Sequence, residues 1–523
     1  MERFENSRWE GRRIPRSEET RFRLILPGSL SGSGDGEEPR GHWLCDTATE
    51  WLLYAMVVFS PWAFGTTQPW SRQVMDVGGY LLGGLLAAKW IIRRVTGWRP
   101  TGRTLEERTG VSRAGIRRWP TRLLAGLTVL ILGYCLVSVL NARATYVRSE
   151  YRLAYHTCVP WLPHTYDTVS TWSFLANYLA LALAFWAARD WMLGGGDRER
   201  GGRWEEFKLT DRPREGSLPK RLRRLLWVIC VNGALLALEG ILQRTSGVGK
   251  LLWLVEPHIN KEAAAQFGPY AYRSNAAQYF TLIWPVALGL WWVRQRAAKH
   301  QRRPRTTHHL LLPCAMLVAA CPLVSLSRAG AIVGLGGILI AVAILLFTRR
   351  EMDWRVKTGL LLFLVAILTL GWYVEWPELS KRFATGESLS NSERVEMWRN
   401  GLQIARDFPV FGTGPGTFSP IYQYYRGSVD QYWPAQLHND WLETLITFGW
   451  VGSALILLAL LAAAGRWFFP GGIVAHRVFV MFLWLALGGG LAHAAVDFPF
   501  QIYSIMFLFL LLCAVLSCLS REA

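Results

Sequence analysis

Apolar stretches of roughly 17–22 residues, each with few polar interruptions, recur along this 523-residue chain, and that length is what a helix needs to cross hydrocarbon. About twelve are present, at 47–65, 75–92, 122–140, 171–188, 224–242, 275–293, 309–325, 329–347, 357–375, 441–464, 474–493 and 500–518. Inside a bilayer every backbone N–H and C=O must find a partner within the protein, so such runs become helices. The expected fold is all-α: a polytopic membrane protein with about 12 transmembrane helices and a large loop between helices 9 and 10.

A formal net charge of +19 would suit nucleic acid, but its placement argues for orientation instead. Nine arginines fall in 93–122, eleven Lys/Arg in 189–224, six in 294–305 and four in 349–357. If every run spans, these segments share one side, and the facing loops, notably 376–440, are poorer in basic residues for their length. The positive-inside rule then puts both termini in the cytoplasm, with membrane lipids rather than nucleic acid as the surroundings. Residues 1–41 read as a flexible basic cytoplasmic tail without the apolar core of a cleaved signal peptide. Residues 42–223 carry the first four helices with their basic loops, 224–518 the remaining helices, and 519–523 a cytoplasmic tail. Of eight cysteines only Cys158 falls in an outer loop, so no external disulfide framework is expected. No His/Cys cluster has zinc spacing, so no metal site is expected either.

The long outer segment 376–440 has a pattern of its own. Ser390-x-x-Glu393 reads as a capping box, and Val395, Trp398, Leu402 and Ala405 follow at helical spacing until Phe408-Pro409. An amphipathic helix lying on the membrane or on other helices is expected there. Gly412, Gly414 and Gly416 come next and predict a tight turn. A phosphate cradle is the alternative, although no P-loop lysine or strand accompanies it.

Ionisable groups at helix ends need a reason, since a central arginine costs about 2.5–3.5 kcal/mol to insert. Arg244, Arg273, Arg328, Arg394 and Arg399 all fall on the outer side of the assigned topology. Each can snorkel to headgroups or pair with a structural carboxylate. Together they would form a cationic pocket whose guanidinium forks suit a diphosphate. His438-Asn439 opens the run at 441–464; an imidazole there is either a structural hydrogen-bonding group or a base. Gly449 is expected to share its face about 16 Å further along the helix, and Gly449 and Gly452 to let a neighbouring helix approach closely. Beside His493, Asp497 could orient a histidine or pair with an arginine, and a plain helix-ending turn before Pro499 is the alternative. Glu239, deep in its run, is expected to meet a polar group on another helix.

His438-Asn439, nine residues, then Gly449-x-x-Gly452 resembles the signature of the O-antigen ligase and polymerase family of bacterial envelopes. S-R-A-G at 327–330, S-E-R-V-E-M-W-R-N-G at 392–401, D-F-P-V-F-G-T-G-P-G-T-F at 407–418 and H-A-A-V-D-F-P-F-Q-I at 493–502 resemble the same family, in its order. The likeness covers roughly 224–518, which would be an O-antigen ligase-like catalytic membrane region with a periplasmic loop at 376–440. It implies a multi-pass protein of the bacterial inner membrane with a periplasmic active site. The implied activity is metal-independent, inverting transfer of an undecaprenyl-diphosphate-linked glycan, with no cofactor, to lipid A–core or a growing glycan. The family's essential histidine maps onto His438 and its donor-binding arginines onto Arg273 and Arg328, with Arg244 as a carry-over by loop position; Arg394 and Asn439 join them, and Asp497, Gly449 and Gly452 support them. O-antigen ligation is the expected reaction. Polymerisation and protein O-glycosylation share the motifs, and a solute transporter is the alternative of a different class.

Overall fold

The computed structural model describes residues 38–98, 114–194, 218–299, 310–348, 388–427, 433–469 and 473–520, with isolated positions 358, 365 and 369. The run at 357–375 and most of the basic tail therefore lie outside the described residues, apart from those three positions and the start of the first helix. The described helices are α1 (Arg40–Trp62), α2 (Pro69–Thr96), α3 (Ala114–Leu140), α4 (Thr168–Leu193), α5 (Lys220–Ser246), α6 (Arg273–Lys299), α7 (Leu311–Val324), α8 (Arg328–Thr348), α9 (Ser388–Asp407), α10 (Phe418–Tyr422), α11 (Asp440–Gly465), α12 (Arg477–Ala494) and α13 (Tyr503–Cys518). Among the described residues, eight are long and apolar enough to cross a membrane: α2 to α6, α8, α11 and α12. The runs at 309–325 and 500–518 form the shorter apolar helices α7 and α13, and the run at 47–65 lies largely in the 23-residue α1. The protein is all-α and polytopic.

Helix α6 is the axis of the bundle: its apolar window is wholly buried. It packs against α5, α7, α8 and α12. Close approach is possible because Gly233 of α5 lies against Ile283, Gly337 of α8 against Trp284 and Gly289 of α6 against Phe482 of α12. Small residues at such crossings maximise van der Waals contact, the main attraction left between helices in lipid.

The two ends of the bundle differ in chemistry. At one end the start of α1, the end of α2, the end of α4 and the start of α5 meet in a buried ion network. Lys89 Nζ lies 3.1 Å from both Asp46 Oδ1 and Asp190 Oδ2, Arg93 grips Asp190 through two bonds of 2.7 and 2.9 Å, and Arg221 pairs with Asp46. Part of the basic excess expected only to orient the chain is thus neutralised by carboxylates on the helix ends.

At the other end a second apolar core forms from the loops. Ala144, Tyr166, Met397, Ile404, Phe418, Tyr422, Leu437 and Ile446 cluster there, beneath a hairpin of β1 (Ala144–Val147) and β2 (Arg152–Tyr155). Helix α9 matches the expected amphipathic helix with two differences. It begins at Ser388, so Ser390 sits inside it rather than at its cap. Its buried face carries Met397, Ile404 and Ala405, while Val395 and Leu402 are exposed. The periodicity was correct and the face was rotated, because α9 packs against the start of α11. Leu519 and Ser520, expected in a tail, form β4 and pair in parallel with β3 (Ile473–Val474).

Candidate active site

The geometry around His438 starts with its backbone. Its φ of +57° is a left-handed conformation that a non-glycine residue seldom adopts, and such outliers persist only where the surroundings hold them. Three neighbours do so. The Asn439 side chain accepts from the Leu442 amide at 3.0 Å, capping α11. Glu443 Oε2 accepts from the Leu437 amide at 2.8 Å. Asp440 Oδ2 accepts from the Phe500 amide at 2.8 Å, while the Asp440 amide donates to the Asp497 carbonyl at 3.2 Å. The two carboxylates suit the positive end of the helix dipole, and Asp440 ties the 497–501 turn to the head of α11.

That tie brings Asp497 under the imidazole. His438 Nδ1 lies 3.0 Å from Asp497 Oδ1; the histidine side chain is 20% exposed and the carboxylate 2%. A carboxylate can only accept, so Nδ1 donates and Nε2 is left as the acceptor. Phe498 stands edge-on to the imidazole with centroids 4.7 Å apart, and Tyr272, stacked on Phe498 at 5.6 Å, stands edge-on at 6.2 Å. The rings confine the imidazole to one orientation. Asn439, grouped with the donor-binding arginines in the sequence, uses its Oδ1 for the helix cap. His493 bonds Thr281 instead, at 3.2 Å.

The glycines act differently from the expectation. Gly449 has φ +59° and ψ −168° inside α11, a conformation essentially restricted to glycine, so α11 is broken there. His438 and Gly449 are not set on one face of a continuous helix. A Cβ on Gly449 would stand 2.4 Å from the Val410 carbonyl, and one on Gly412 2.6 Å from the Gly449 amide. The 409–414 segment, rather than a neighbouring helix, fills the break. The amides of Thr413 and Gly414 donate to the carbonyls of Ile446 and Thr447 at 2.9 Å, and the Trp450 amide donates to Pro409 at 2.8 Å. Tyr134 Oη of α3 reaches the carbonyls of Phe411 at 2.6 Å and Phe448 at 3.0 Å. The glycine series is thus a turn whose Thr413 and Gly414 amides are already spent on protein carbonyls. A Cβ on Gly452 would meet Phe448 of the same helix.

The arginines converge from three helix ends. Arg273 opens α6 and donates from Nη1 to the Ala264 carbonyl at 2.8 Å. Arg244, in the last turn of α5, donates to the carbonyls of Ala263 at 2.8 Å, Gln266 at 3.3 Å and Ser325 at 3.5 Å. Arg328 opens α8, and its neighbour Ser327 bonds Ser274 of α6 at 3.0 Å, so the N-termini of α6 and α8 lie side by side. Arg394 of α9 donates to Tyr272 Oη at 3.4 Å. Arg399 is exposed on the same helix.

Tyr272 is the hinge of the cluster and was not singled out in the sequence. Burial pushes its phenol above the ordinary tyrosine value; the Asp497 charge adds to this, and Ser274, Arg394 and Arg273 act against it. One side chain therefore feels Asp497, Arg273 and Arg394 together while its ring faces His438. Glu239 does not meet a polar group on another helix: among the described residues neither carboxylate oxygen has a hydrogen-bond partner, and its Oε2 lies 2.6 Å from where a Cβ on Gly268 would stand.

The arrangement offers an oriented acceptor nitrogen whose neighbour Tyr272 carries the Arg394 guanidinium and adjoins Arg273 at the head of α6. It can take a proton from a hydroxyl while stabilising negative charge nearby. The family model described as O-antigen ligase matches residues 313–457, from α7 into α11. The matched segment contains Arg328, Arg394, His438, Asn439, Gly449 and Gly452, while Arg244, Arg273 and Asp497 lie outside it. No curated protein matches the chain.

Proposed function

With an O-antigen ligase domain as premise, we propose that the protein is a multi-pass glycosyltransferase of a bacterial inner membrane that transfers an undecaprenyl-diphosphate-linked glycan to an acceptor hydroxyl at the periplasmic face. Ligation to lipid A–core is the favoured reaction, with repeat-unit polymerisation as the second reading within the same family. What supports transfer is one observation: the His438–Asp497 pair, joined through Tyr272 to Arg273 and Arg394 at a single end of the bundle.

The acceptor hydroxyl gives its proton to His438 Nε2 as its oxygen attacks the anomeric carbon. The bond from that carbon to the phosphate oxygen breaks, and undecaprenyl diphosphate departs with the electron pair. A single displacement of this kind inverts the anomeric configuration. Asp497 keeps Nε2 as the acceptor and stabilises the imidazolium once the proton arrives. Arg273, Arg328 and Arg394 stabilise the charge growing on the diphosphate, helped by the two helix N-termini. Arg244 braces the 263–266 turn against the head of α8 through its three carbonyl bonds.

The test is a deletion strain complemented with wild type or His438→Ala and scored by gel for envelope polysaccharide. Wild type should restore polymer on lipid A–core and the variant should not. Transfer by His438→Ala at the wild-type rate would end the assignment of the base, and accumulation of single repeats would identify a polymerase.

A further inference from the structure

Apart from the His438 cluster, the loops at the same end enclose a cavity of about 330 Å³, within the ~300–1,000 Å³ range of small-ligand sites. Tyr146, Arg148 and Tyr151 of the β1–β2 hairpin line it, with Asp167 before α4 and Trp433 ahead of α11.

Asp167 is the unexplained group. It is 2% exposed, and it stands at the N-cap of α4 without making a cap bond. Its Oδ2 accepts from Ser170 Oγ, whereas Oδ1 is buried with no hydrogen-bond partner among the described residues. A buried acceptor left without a donor costs about 1–3 kcal/mol. That cost is removed when a ligand supplies a hydroxyl.

Beside Arg148, Ser170, Ser419 and Pro420, the lining carries aromatic rings, two of which are held in place. The Tyr151 and Trp433 rings lie 5.9 Å apart at 56°. Trp433 is fixed by donation from Nε1 to the Ser419 carbonyl at 2.8 Å, with the Arg426 guanidinium 5.5 Å over its ring. Tyr151, with a left-handed φ of +51°, is tied through its carbonyl to Gln423 and Tyr424 at 3.4 Å.

We propose that this cavity binds one sugar ring of a glycan, with the ring's apolar C–H face against Tyr151 and Trp433 and a hydroxyl donating to Asp167 Oδ1. The carboxylate disfavours a phosphate, and the polar aromatic lining disfavours an acyl chain. Linked to the transfer reaction, on which this part rests, the cavity grips the glycan away from the reacting carbon and lowers KM without entering the chemistry.

The experiment uses the full chain in phosphatidylcholine nanodiscs and two lipid-free probes released from lipopolysaccharide by mild acid, core oligosaccharide and O-polysaccharide. Saturation-transfer NMR titration should detect binding of at least one probe to wild type and to His438→Ala alike. Asp167→Asn should weaken it about tenfold, the size of a lost hydrogen bond to a charged group, and Tyr151→Ala several-fold, through loss of the ring under the sugar's apolar face. Tyr151 is 63% exposed, so its replacement tests the site even if Asp167→Asn fails to fold. Binding of neither probe, or binding unchanged in both variants, overturns the proposal. So does a loss confined to association with phosphatidylglycerol vesicles, which would make the rings a membrane contact. Transfer activity retained by His438→Ala would refute the catalytic assignment and leave the glycan-binding result untouched.

Discussion

At the residue scale, the proposed transfer turns on which nitrogen of His438 is available. The Nδ1–Asp497 bond decides it, and two substitutions separate the roles. His438→Ala removes the base and should lower the transfer rate by the ~10²–10⁴-fold typical of a lost proton acceptor, with unchanged yield and elution on gel filtration. Asp497→Asn keeps the shape but lets the imidazole turn over; kcat should fall while KM for the lipid-linked donor stays constant, as read by a donor-concentration series. The histidine and its glycines could be read from the local motif. The carboxylate, 59 residues further on, was noticed without its partner. Tyr272 and Phe498 were passed over, because an aromatic residue at a helix end has no pattern that distinguishes a ring facing an imidazole from a ring in lipid.

At the element scale, the break in α11 is the device that holds the site. Gly449→Ala places a Cβ against the Val410 carbonyl in a backbone region reserved for glycine. It should cost at least ~1–3 kcal/mol, seen as a lower unfolding midpoint in detergent. Gly126→Ala in α3 is the control: nothing lies within 4 Å of its Cβ, and alanine's better helix propensity should leave the midpoint equal or higher. Tyr134→Phe removes the hydroxyl that serves the Phe411 and Phe448 carbonyls at the break and should cost ~1–3 kcal/mol. The Gly449-x-x-Gly452 spacing suggested a helix crossing because small residues usually mark one. What fills the gap is a loop carrying its own glycine at 412, and pairing a loop with a helix break has no periodic signature.

At the scale of the whole molecule, the two ends divide the work. The arginine end gathers side chains from α5, α6, α8, α9 and α11, while the Asp46–Lys89–Asp190 network clamps α1, α2 and α4 at the opposite end. Lys89→Met leaves two buried carboxylates short of a cation. It should destabilise the chain by up to about 3–5 kcal/mol, with Arg93 and Arg221 limiting the loss, measurable as a lower thermal midpoint at unchanged membrane insertion.

Segment length and the distribution of basic residues determined the all-α polytopic class and the common end of Arg244, Arg273, Arg328 and Arg394, because hydrocarbon permits little else of a run that long. The family motif marked His438 for the same local reason. Tertiary structure alone decided that Asp497 pairs with His438, that Asn439 caps α11, that Gly449 interrupts its helix, and that α9 buries Met397 and Ile404 instead of Val395 and Leu402. Each of these depends on which backbone arrives from a distant part of the chain, and a one-dimensional pattern holds no record of that arrival.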